Sequence, residues 1–93
     1  MLIGLLRLEL FLPDALSLKD KRSVLKSIKD QLRNRFNIAV AELESSEKWQ
    51  RAVIGVITVG DDRRYIDGCL SQVVNWVQAS RMVELVRVEH QTF

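Results

Sequence analysis

Residues 17–36, SLKDKRSVLKSIKDQLRNRF, read as one amphipathic helix, and the rest of the chain is arranged around it. Ser17 is placed to cap it, Asp20 three positions on supplies a weaker form of the capping box, and Pro13 keeps the preceding segment out of helix. At 100° per residue, Leu18, Val24, Leu25, Ile28, Leu32 and Phe36 gather into one apolar sector. Lys19, Arg22, Lys26, Lys29 and Arg33 recur at spacings of three and four, which makes a continuous basic stripe beside that sector. Lys21 and Arg35 extend the positive charge around the apolar edge, while Asp20, Ser23, Ser27, Asp30 and Asn34 fall on the far side.

Strands flank the helix. Before it, Leu2 to Leu12 alternates, with Leu6, Leu8, Leu10 and Leu12 on one face and Ile3, Leu5, Arg7, Glu9 and Phe11 on the other. That is the pattern of a central strand covered by helices on one side. After it, Asn37 to about Glu44 reads as a second strand, and Ser45–Lys48 as a polar connection of hairpin length. Trp49 to Val59 contains AVIGVITV, a third strand in which Gly55 is tolerated only if something bulky approaches it. Gly60-Asp61-Asp62 stops that strand and caps a second helix over about 62–80, whose apolar sector is Ile66, Cys69, Leu70, Val73 and Val77, widened by Val74 and Trp76. Met82 to His90 is the last strand.

Strand, helix, strand, strand, helix, strand is the order of a split βαβ unit. It predicts an α+β, ferredoxin-like βαββαβ sandwich, a four-stranded antiparallel sheet with two helices on one face. Right-handed crossovers are expected to set strands one and three side by side, and parallel to each other. The 93 residues make one domain, 1–93, with 47% hydrophobic and 28% charged residues. The net charge of +2 conceals an asymmetry. Residues 18–36 hold seven Lys/Arg against two acids, a local balance of +5; the remainder holds seven against ten, a balance of −3. Such a molecule has an electrostatic front.

Catalytic devices are scarce. His90 is the single histidine and Cys69 the single cysteine, which excludes an intramolecular disulfide and a thiolate metal cluster. Cys69 reads as a small buried hydrophobe, His90 as an exposed strand-end residue, and an acid–base pair of His90 with Glu89 or Asp61 as a residual alternative. Asp61-Asp62 is more simply a helix cap than a metal seat, and Glu42, Glu44 and Glu47 read as solvated. The four glycines form no phosphate-cradling loop. A non-enzyme without cofactor or metal is expected, cytoplasmic and without a membrane span or signal peptide, since Arg7 and Glu9 interrupt the apolar start.

Partners are the remaining lead. The stripe Lys19, Arg22, Lys26, Lys29 and Arg33, with Lys21 and Arg35 and marginally Arg63 and Arg64, is suited to RNA phosphates. Stacking on the sheet is poorly supplied, because Phe11 is the one aromatic on strand one and residues 53–59 contain none. The alternative is a dimeric protein-interaction or small-ligand module using the open sheet face, with Ile3, Leu5, Phe11 and Trp49 as contact residues; Trp49 is read as cover for the core rather than an exposed anchor.

The runs LKDKRSVLK, RNRFNIAVAE, WQRA and GDDR resemble the signature of the YlxP-like family of small bacterial proteins, over nearly the whole chain. The family pattern has Asn-Asp where this chain reads Gly60-Asp61-Asp62. The resemblance implies a ferredoxin-like fold and no established activity. It also implies an RNA- or ribosome-associated role, because genes of the family often lie near those for translation initiation and ribosome maturation. The positions that match are Lys19, Lys21, Arg22, Arg33, Arg35, Phe36, Asn37, Glu42, Trp49 and Gln50.

Overall fold

The alternation of β1, Leu2–Phe11, puts Leu6, Leu8 and Leu10 on one side with at most 2% of their surface exposed, while Ile3, Leu5, Arg7, Glu9 and Phe11 on the other side stay half-buried. In this computed structural model, which describes residues 1–44 and 48–93, the elements that follow are α1 (Leu18–Arg35), β2 (Ala39–Glu42), β3 (Arg51–Gly60), α2 (Arg63–Ala79) and β4 (Glu84–Thr92). The connection expected at Ser45–Lys48 lies, apart from Lys48, outside the described residues, as does Glu47.

The sheet has the order β2-β3-β1-β4, with β1 central beside β3, and all its pairings are antiparallel. The expected side-by-side placement of strands one and three is found; the expected parallel sense is corrected. A βαβ crossover makes β1 and β2 run the same way, and the β2–β3 reversal then turns β3 against β1. Leu2 therefore faces Gly60 and Phe11 faces Arg51 across ten paired positions.

Both helices cover the face built by Leu6, Leu8 and Leu10 of β1 with Ala52, Ile54 and Val56 of β3, and they contribute Leu25, Ile28 and Leu32 from α1 and Ile66, Leu70, Val73 and Val77 from α2. Burying so many aliphatic side chains is the main stabilising term of a domain this small. The approach of α2 to β1 depends on Gly4: a Cβ there would collide with Ile66 Cγ2 and lie 2.9 Å from Leu70 Cδ1. On the opposite face, the space a side chain at Gly55 would need is taken by Leu43, whose methyl carbons lie 3.0 Å from that position.

The caps explain the element bounds. Ser17 Oγ accepts from Asp20 N at 3.0 Å, as expected, but Asp20 Oδ2 accepts from Leu16 N rather than from Ser17 itself. Asp62 caps α2 by accepting from Arg64 N at 3.0 Å. Strand β2 begins later than expected because Ile38 N donates to Phe36 O in a tight bend. Strand β4 begins at Glu84, not Met82, because Met82 N is held by Ser80 Oγ at 3.2 Å.

Candidate nucleic-acid interface

The basic stripe of α1 separates into three kinds of residue. Lys19 and Arg22 are exposed and Lys29 half-buried, and these three form no ion pair with any other described residue. Lys26, with 79% of its side chain exposed, holds Asp30 Oδ2 at 2.9 Å, and Arg33 holds Asp30 Oδ1 at 3.4 Å. Asp30 thus belongs to the stripe, not to the far side. The Lys26 hydrogen bond, aided by the charges of Arg33 and Lys29, holds its carboxyl below the usual aspartate range. Arg33 also donates from Nη2 to Val40 O at 2.9 Å, tying α1 to β2.

Two residues expected to extend the stripe are used elsewhere. Lys21 is 3% exposed, and its ammonium donates to Lys48 O at 3.0 Å, so the buried placement removes it from any surface contact. Its sequence spacing carried the signal: Lys21, Leu25, Ile28 and Leu32 follow the 4-3-4 rhythm of one buried helix line. Its four-carbon stem packs among apolar neighbours while the charged tip finds a carbonyl. Arg35 lies 5.6 Å over the Trp76 ring, a cation–π contact linking the end of α1 to α2. Beside it, Arg64, Tyr65 and half-buried Cys69 line a shallow groove of about 330 Å³, and Arg63 and Arg64 are exposed.

Trp49 is 51% exposed, so it is not a core cover. It lines a recess with Phe11, Lys48, Gln50 and Arg51 at one end of the sheet. Gln50 anchors that turn by donating from Nε2 to Pro13 O at 3.1 Å, and Lys21 fastens the Lys48 backbone to the second turn of α1. Phe11 and Trp49 thus line one recess together with Lys48 and Arg51.

The open sheet face is apolar at one end and charged at the other. Ile57 and Val59, 40% and 50% exposed, sit opposite Leu5 and Ile3. Farther along, Arg7 reaches Glu9 at 2.8 Å, Glu44 at 2.5 Å and Glu89 at 4.0 Å. The Arg7 hydrogen bond lowers the Glu9 pKa against a smaller opposing desolvation, and the surrounding acids raise that of Arg7. Glu44 is thus an ion-pair partner rather than a simply solvated acid.

His90 and Glu89 project to opposite faces of β4, so they do not form a pair. His90 Nε2 lies 3.2 Å from Thr92 Oγ1 and 3.9 Å from Asp67 Oδ1 instead. Among the described residues, no three His, Cys, Asp or Glu side chains converge as a metal site would require, and no helix is long and apolar enough to cross a membrane.

The fold is that of a ferredoxin-like α+β domain with a basic helix on one flank. The chain belongs to the family described as "Protein of unknown function (DUF503)", whose model matches residues 3–90. It is similar to a Bacillus subtilis (strain 168) protein, "Uncharacterized protein YlxP", with 32% identity over 83 residues that cover 89% of this chain and 90% of the relative. Among solved structures it resembles the de novo designed protein Foldit4, at 14% identity and TM-score 0.51, covering 99% of this chain and 94% of that one. It also resembles SnoaB, a cofactor-independent oxygenase from Streptomyces nogalater, at 15% identity and TM-score 0.53, covering 99% and 90%. At such identities the likeness concerns the fold alone.

Proposed function

We propose that the protein binds RNA as an accessory factor, in keeping with a ribosome-associated role, through the exposed flank of α1. The observation that carries this reading is that Lys19, Arg22 and Lys29 stand along that flank without acidic partners among the described residues, while Arg7 and Arg87 of the open sheet face are matched by Glu9, Glu44 and Glu89. Unmatched cations in a row contact successive phosphates; neutralised ones do not. The Phe11–Trp49 recess between Lys48 and Arg51 offers an unpaired base an aromatic surface, a contact sheet-interior aromatics do not provide here.

The test is fluorescence anisotropy with labelled single-stranded fragments of ribosomal RNA across a salt series. Three phosphate contacts give a slope of log K against log salt of about −2. Arg22→Glu with Lys29→Glu should weaken binding at least tenfold and flatten that slope, and Trp49→Ala should weaken it without changing the slope. Affinity unaltered by the double reversal would refute the reading. A second reading rests on Ile3, Leu5, Ile57 and Val59, whose apolar end of the open face suits a protein or small-ligand contact. Under it, RNA does not bind and Leu5→Asp removes the partner.

A further inference from the structure

The two edges of the sheet are finished differently. The β2 edge is four residues long, and its outward carbonyl at Val40 is already occupied by Arg33 Nη2. The β4 edge is nine residues long. Ile3 and Phe93 exchange both backbone hydrogen bonds, and this sets the phase of the ladder. By alternation from that pair, Gln91, Glu89 and Arg87 turn their backbone groups toward β1, whereas those of His90 and Val88 point away from the sheet. Among the described residues, nothing else in the chain bonds those outward backbone groups. Val88, 40% exposed, stands beside them above a groove of about 210 Å³ bounded by Leu70 and Val74 of α2, while Val86, 52% exposed, falls at the register shift between Arg87 and Leu85.

From this edge we infer that two copies of the chain associate through β4, antiparallel across a two-fold axis at Val88, to form one continuous eight-stranded sheet. The charge order of the strand selects both the occupant and the register. In Val86-Arg87-Val88-Glu89-His90, a two-fold at Val88 sets Arg87 opposite the partner's Glu89, and Glu89 opposite the partner's Arg87. Moving the axis by one residue to Arg87 or Glu89 instead places like charges face to face, which is destabilising. Val88 meets its own symmetry mate, giving that exposed valine apolar company, and the outward amide and carbonyl of Val88 are satisfied reciprocally. Arg87 and Glu89, 64% and 42% exposed, are free enough to turn from their own 3.1 Å contact to the cross-strand one. A long edge with charged residues usually resists indiscriminate pairing; here the same charges admit one partner in one register.

The experiment is sedimentation velocity on the whole chain over a wide concentration range, with circular dichroism confirming each variant's fold. The wild type should sediment at twice the chain mass. R87E and E89R should each raise the dissociation constant about tenfold or more, because two symmetry-related attractions become repulsions. An equimolar mixture of the two variants should recover the dimer, since one carries two acids where the other carries two bases. Val88→Pro should also give a folded monomer, because it deletes an outward amide and leaves the β1 ladder intact. A wild type that stays monomeric at high concentration overturns the proposal. So does a dimer that both charge reversals leave unchanged, or one dissociated by Leu5→Asp and not by R87E, which would move the contact to the open face.

Discussion

The two faces of the sheet are built from the same strands by the same alternation, yet they answer different demands. On the helix-covered face Leu8 and Ile54, paired across β1 and β3, have no exposed surface; on the open face Arg7 and Gly55, one position away, meet charge and a folded-over leucine. A strand residue's partner here is decided by parity, and its energetic weight by whether a helix covers it. The closed face tolerates neither a void nor an added atom, whereas on the open face a void costs less, because water can fill it.

The largest break in that comparison comes from equal truncations on opposite faces. Leu8→Ala should lower unfolding free energy by about 2–5 kcal/mol, and Leu5→Ala by about 1 kcal/mol or less, read from urea midpoints at constant m. Next is an addition to the closed face. Gly4→Ala should destabilise by about 1–3 kcal/mol, because Ile66 and Leu70 must shift, and near-ultraviolet dichroism should report altered packing of α2.

The charged end of the open face gives a smaller, pH-dependent effect. Glu9 is held below its ordinary pKa in the folded state, so its contribution is present above about pH 4.3, the unfolded value, and is lost as pH falls through the lower folded one. Arg7→Gln should therefore flatten the acid limb of the stability–pH curve and leave its shape above pH ~6 unchanged. The smallest effect carries the opposite sign. A Cβ at Gly68, on the exposed side of α2, meets nothing within 4 Å, so Gly68→Ala should raise stability by about 0.5–1 kcal/mol, measured by the same urea titration.

Much of this architecture was legible in the sequence because it rests on local rules: the period-two run of β1, the Ser17 and Asp62 caps, and the sectors of both helices. The sense of β3 departs from the sequence expectation because strand direction is global, depending on counting every reversal between strands. The basic stripe follows from residue spacing, but its division does not. Whether a lysine is paired, as Lys26 is with Asp30, or turned inward, as Lys21 is, depends on what tertiary packing brings near it. Residue type alone points Trp49 toward the core, and its place beside the same recess as Phe11 depends on a turn anchored from Pro13, thirty-seven positions away from Gln50. The charge order of β4 was visible throughout; its meaning required knowing that β4 is an edge.

The inward ammonium of Lys21 has a consequence for chemistry done to the protein from outside. An acylating reagent reaches Lys19 and Lys26 directly, but reaches Lys21 only when the Lys48 carbonyl lets go and the second turn of α1 loosens. The ratio of labelled Lys21 to labelled Lys26, read peptide by peptide, is thus a built-in gauge of how often that corner of the molecule opens.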